Sequence, residues 1–86
     1  MPLNSAAFSS AEAPAAERAL REWRSAVAKK EGVPAYVVLT DKDLVGIASD
    51  LPRTLPELAR CRGIGPLRLE RWGDEILAVL DVIGTT

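Results

Sequence analysis

The sequence predicts an all-α chain folded as a compact bundle of five helices, and three observations carry that expectation. Apolar residues recur at helical spacing: Ala16, Ala19, Leu20, Trp23 and Val27 form one stripe, and Leu44, Ile47, Ala48 and Leu51 another. Capping residues and breakers, Thr40, Thr54, Gly32, Pro52 and Gly84, fall where such stripes begin and end. The one segment with strand propensity, Val33-Pro34-Ala35-Tyr36-Val37-Val38-Leu39, has no second strand to pair with, and an isolated strand would leave its backbone groups unpaired.

Each element has a local reason. Met1 to Ala13 is small and polar and reads as a flexible linker, residues 1–13, in a piece of a larger protein. The folded domain then spans residues 14–84. Pro14 suits the opening turn of a first helix that runs to Lys30, and Gly32 ends it with Lys29 and Lys30 in the last turn. Residues 33–39 follow as a buried extended or 3₁₀ connector. Thr40 caps a second helix, with Asp41 and Asp43 in its first turn, and Pro52 stops it. Thr54 and Glu57 form a capping box for a short third helix, Leu55 to Cys61. A fourth runs from Pro66 to Trp72. Gly73 breaks or bends the chain, and Asp74-Glu75 open a fifth, which buries Ile76, Leu77, Leu80 and Ile83.

Composition narrows the function classes. Eighty-six residues make at most one domain, and the 48% hydrophobic content excludes a disordered chain. No apolar run reaches the roughly 20 residues of a membrane span, and no signal peptide is visible. The single cysteine, Cys61, excludes an internal disulfide, and it reads as buried and inert in a cytoplasmic protein. With no histidine, zinc and histidine-based catalysis are nearly excluded. Asp41, Asp43 and Asp50 are explained by helix ends and links without a metal. Neither an enzyme nor a cofactor is implied.

The net charge is −1, but its distribution is polar: residues 53–71 hold five arginines against two glutamates, whereas residues 72–86 hold three acids and no base. The basic stretch surrounds Cys61-Arg62-Gly63-Ile64-Gly65-Pro66, which reads as helix end, glycine turn and helix start. Gly63 can take the positive φ that closes a helix, and Gly65 lets a ligand approach the backbone. A helix N-terminus among Arg60, Arg62, Arg68 and Arg71 suits a phosphate. Two readings stand side by side here: a tight αα-turn with Ile64 in the core, and a phosphate seat that positions nucleic acid without reading its sequence. Arg68, in the first helical turn, gains nothing from the helix dipole, and an anion would offset that placement. Arg21, Arg24, Lys29 and Lys30 form a second basic set, in which Arg21 and Arg24 share a helical face; it reads either as a solvated outer face or as a track for a nucleic-acid backbone. Tyr36 stands either as a half-buried ring or as a platform for a base of a single strand.

These runs together resemble the HRDC (helicase and RNase D C-terminal) domain. The resemblance rests on Leu20-Arg21-Glu22-Trp23-Arg24, Gly32 to Asp41, Leu44, Ile47-Ala48, Leu51-Pro52-Arg53-Thr54, Glu57-Leu58, Gly63-Ile64-Gly65-Pro66, Arg68 to Gly73 and Ile76-Leu77. It implies a five-helix, non-catalytic module of RecQ-type or UvrD/Rep-type DNA helicases, with a helix-hairpin-helix-like turn at residues 62–66. The implied function is auxiliary nucleic-acid binding by a monomer: weak, sequence-independent attachment to single-stranded or structured DNA. The alternative is a module that docks on the helicase core of the parent chain or on a partner protein. The family often carries Tyr where this chain has Trp72, a change expected to affect packing rather than chemistry.

Overall fold

The computed structural model describes the backbone of residues 3–84 and the side chains of residues 14–83. Five helices follow in order: α1 (Leu3–Glu31), α2 (Ala35–Val38), α3 (Asp41–Asp50), α4 (Leu55–Ala59) and α5 (Pro66–Gly84). The fold class and the number of helices agree with the sequence reading, but the partition differs at three places.

The first difference is the start of α1. Helix begins at Leu3, so Pro14 lies inside it rather than in its opening turn, and residues 3–13 are helical where a flexible linker was expected. Proline lacks one N–H donor, and the alanines at 6, 7, 11 and 13 favour helix on its N-terminal side. Downstream, the expected stripe is inside: Ala16, Leu20 and Val27 are buried and Trp23 packs at the core edge. Gly32, at φ +69°, closes the helix, and Val33 N–H bonds the Ala28 carbonyl at 3.0 Å, the longer bond of a Schellman motif.

The second difference is the connector. Ala35–Val38 forms a single α-helical turn rather than an extended or 3₁₀ link. Pro34 enters it with φ −62° and ψ 150°, and Val37 N–H bonds the Pro34 carbonyl at 3.0 Å. A turn satisfies these backbone groups locally, as a lone strand could not. Val38 and Leu39 fall into the core with no exposed surface, while Tyr36 and Val37 face out.

α3 and α4 follow their caps. Thr40 Oγ1 accepts from Asp43 N–H at 3.1 Å, and Thr54 Oγ1 accepts from Glu57 N–H at 3.2 Å. The Glu57 carboxylate reaches back to Arg53 N–H at 2.9 Å, one residue beyond the usual capping box. α4 stops at Ala59, two residues earlier than expected. There the chain tightens, with Cys61 N–H on the Leu58 carbonyl and Ile64 N–H on the Cys61 carbonyl.

The third difference is α5. Pro66–Gly84 is one helix, where a break at Gly73 was expected. A lone glycine costs a helix only about 1 kcal/mol. Gly73 is buried, and a Cβ there would stand 2.9 Å from Leu55 Cδ2, so its missing side chain admits α4 onto α5.

Leu20, Leu39, Leu44, Ile47, Leu58, Ile76 and Leu80 fill the centre, with α1 packed on α3 and α5, and α4 on α5. Trp72 is buried, its ring edge-to-face with Trp23 at 6.4 Å, and Trp23 Nε1 donates to Glu75 Oε1 at 3.1 Å. The glycine turn is pinned from within: Ile64 and Cys61 are buried, Gly63 sits at φ +84°, and a Cβ on Gly63 would overlap the Asp43 carboxylate. Gly65 has open space around it.

Substituting Gly63→Ala should therefore lower the unfolding free energy by about 2 kcal/mol or more, from backbone strain and overlap together. Gly65→Ala should cost less than about 1 kcal/mol. Urea denaturation of the two variants, followed by circular dichroism, checks the difference.

Candidate nucleic-acid interface

One guanidinium organises the surface around the glycine turn. Arg68, in the first turn of α5, donates Nη1 to the Gly63 carbonyl at 2.8 Å and Nη2 to the Val37 carbonyl at 3.2 Å. It thereby ties the end of α2 to the turn. Tyr36, distant in sequence, is brought to the same region of surface as Arg62, Gly63, Gly65 and Arg68. Tyr36 is 66% exposed, so the half-buried ring expected as one reading is not found. Leu69 N–H bonds the Gly65 carbonyl at 3.0 Å, which makes Gly65 the residue before the first turn of α5, with no side chain to cap it.

The remaining sequence-selected cations divide sharply. The Arg60 and Arg62 guanidinium groups are exposed and make no hydrogen bond or ion pair with the described residues. Arg71 lies elsewhere, bonded to Glu31 at 2.9 Å with its guanidinium 4.9 Å from the centre of the Trp72 ring. Arg24 is largely buried: it donates to the Leu39 carbonyl at 2.8 Å and pairs with Asp41 at 2.9 Å. Arg21 joins the same Asp41 at 3.2 Å and Glu17 at 3.3 Å. Thus Arg21 and Arg24 share a face, as their spacing requires, but both spend their charge on neighbouring carboxylates.

Arg24 and Arg21 together hold the exposed Asp41 carboxyl below its ordinary range, chiefly through the hydrogen bond from Arg24. Burial, followed by the nearby Asp50 charge, pushes the Cys61 thiol up, which keeps it protonated at neutral pH. Among the described residues no group of histidine, cysteine, aspartate and glutamate side chains could hold a metal, and no helix is long and apolar enough to cross a membrane.

Sequence reasoning missed three features of this surface. Leu67 is 68% exposed beside Arg68, and Val37 is 41% exposed beside Tyr36. Leu67 falls outside the run Leu69, Trp72, Ile76, Leu80, and that mismatch in spacing was its visible signal. The third is Asp43, whose carboxylate lies under the turn; in the sequence it shows only as a first-turn acid.

This arrangement defines a small helical module: one core, a glycine turn, and a short helix clamped by arginines. The HRDC domain family model matches residues 14–80, and the chain belongs to that family. It is 43% identical over 61 residues to the ATP-dependent DNA helicase UvrD2 of Mycobacterium tuberculosis, covering 71% of this chain and 9% of that protein. Against the ATP-dependent DNA helicase RecQ of Haemophilus influenzae it is 34% identical over 61 residues, covering 71% of this chain and 10% of that one. The chain thus spans about a tenth of these curated relatives. Among solved structures it resembles HRDC domain 3 of D. radiodurans RecQ, with a TM-score of 0.84 and 36% identity over 87% of this chain and 99% of that chain.

Two outcomes follow from the geometry. Arg68→Ala should cost about 1–2 kcal/mol of stability through its two lost carbonyl partners, whereas Arg62→Ala should stay within about 0.5 kcal/mol of the parent. Thermal unfolding separates them. The depressed Asp41 pKa contributes stability that is complete above its ordinary value of 3.8 and is lost as pH falls through the lower folded-state value. Asp41→Asn should accordingly flatten the loss of stability below about pH 4, measured as unfolding midpoint against pH.

Proposed function

We propose that this chain is the auxiliary nucleic-acid-binding domain of an ATP-dependent DNA helicase. It attaches weakly and without sequence preference to DNA, single-stranded or at a junction, and raises the local concentration of substrate at the tethered motor. The domain acts as a monomer in the cytoplasm, with residues 1–13 as its link to the rest of the parent chain.

The observation that carries this reading is the Arg68 bridge. It brings an exposed Tyr36, an open Gly65 and the unpaired Arg62 to one surface. Tyr36 offers a ring face for a base, and Arg60 and Arg62 offer charge to phosphates. The amides of the first α5 turn, behind a residue with no Cβ, favour an anion. Arg68 serves by holding this surface together, while Arg21, Arg24 and Arg71 contribute through the fold. Of the arginines singled out around the turn, only Arg60 and Arg62 are without a partner among the described residues, so affinity falls in the weak range typical of non-specific binding, about 10⁻⁴–10⁻⁶ M.

A second reading, docking on the helicase core or on a partner protein, is favoured by one specific observation. Val37, next to Tyr36, and Leu67, next to Arg68, add exposed apolar side chains, and such surface suits a protein as well as a base.

Titration of the ¹⁵N-labelled chain with single-stranded DNA at low salt tests the first reading. Amide shifts are expected at Tyr36 and from Arg60 to Leu69, with little change around Arg21 and Arg24. Tyr36→Ala should weaken binding about tenfold, in line with the loss of one stacked base. Arg62→Ala should reduce the slope of log affinity on log salt by up to about 1. Absence of shifts at millimolar DNA, together with association in trans with the rest of the parent protein, would replace the first reading by the second.

A further inference from the structure

Asp43 is the one buried charged residue among those described, 8% exposed, and its carboxylate lies against Gly63 where a Cβ would otherwise sit. It comes from the first turn of α3, whose cap fixes its backbone through Thr40. No described cation forms an ion pair with it, and no described group donates a hydrogen bond to its carboxylate. Arg68, the arginine that reaches this turn, directs both of its Nη groups to the Gly63 and Val37 carbonyls. The turn therefore carries an anion on its inner side that no neighbouring side chain neutralises.

We propose that Asp43 is an affinity-setting residue, which weakens the hold of the glycine turn on nucleic-acid phosphates. This rests on the proposed DNA-binding face and adds a residue that acts against it. A phosphate arriving at Gly65 gains from the α5 amides and from Arg62, and it is repelled by a carboxylate that lies against Gly63, two residues away in the same turn. Partial burial keeps that repulsion from being fully screened. The design gives a module that engages DNA and releases it readily, as a tethered accessory domain of a moving enzyme requires.

The test is the affinity of Asp43→Asn for fluorescein-labelled oligothymidine across a salt series. Asparagine keeps the shape beside Gly63 and removes the charge. Binding should tighten about fivefold at low salt, the effect of two unit charges a few ångströms apart in water, and the gain should shrink as salt rises. Asp81→Asn is the control for net charge, since Asp81 lies about 22 Å along α5 from Pro66. It should change affinity much less. Equal affinity of Asp43→Asn and the parent, an equal gain in Asp81→Asn, or a gain insensitive to salt would overturn the proposal.

Amide shifts of the parent protein separate this failure from failure of the binding face. Parent shifts at Arg62 to Leu69 with no gain in Asp43→Asn refute the role of Asp43 alone. Binding by neither protein refutes both. Binding by Asp43→Asn alone supports the proposal directly.

Discussion

The surface of this domain depends on the Arg68 guanidinium and the two carbonyls it holds. Val37 is the third residue of a four-residue helix and Gly63 stands in a left-handed turn, and the arginine bonds the carbonyls of both. Arg24 does the same work from the other side, on the Leu39 carbonyl. Two arginines from the two longest helices thus secure the same short segment. Hydrogen bonds from a charged donor are stronger than neutral ones, and carbonyls at the end of a short helix are the groups most in need of them. A helix of one turn has no stability of its own, because nucleation costs more than its one or two hydrogen bonds return. α2 exists because Val38 and Leu39 are buried beneath it and because these side chains satisfy its last carbonyls.

That constraint explains why four of the six arginines that the sequence singles out for a ligand are already engaged within the fold. Arg24 and Arg68 fasten α2, Arg71 fastens the end of α1 through Glu31, and Arg21 shares Asp41 with Arg24. The positive charge that a reader of the sequence assigns to DNA is mostly internal wiring. Of the groups singled out for DNA, Arg60 and Arg62 beside the turn and the ring of Tyr36 project outward. Because Tyr36 sits on α2, its position is inherited from the arginines behind it. The proposed function is in this sense a by-product of the packing problem posed by a short helix.

The helical faces were readable in the sequence because burial imposes a period on them. Leu20, Val27, Leu44, Ile47, Leu58, Ile76 and Leu80 are all inside, as their spacing requires. Thr40 and Thr54 cap as read, since those bonds span only three residues. Gly73 misled because a glycine in a helix has two meanings: a break, or a close approach by Leu55 that only the tertiary fold reveals. Pro14 misled similarly, for a helix tolerates a proline that deletes a single bond. The joining of Tyr36 to the turn was invisible, because Arg68 reaches Val37 across 31 positions. The same holds for Asp43 beneath Gly63, a contact between separate helical ends. Local rules recover caps and stripes; the site is made of contacts that no local rule contains.

The central claim is that α2, and the face it presents, is held by side chains of α1 and α5 rather than by its own backbone. Amide hydrogen exchange in Arg68→Met, measured residue by residue, tests it most directly. Leu39 N–H, bonded to the Ala35 carbonyl, should lose much more protection than the amides of Ile76 and Leu80 in α5, which should lose only what the change in global stability requires. Unchanged protection at Leu39, or a uniform loss through the whole domain, would contradict it.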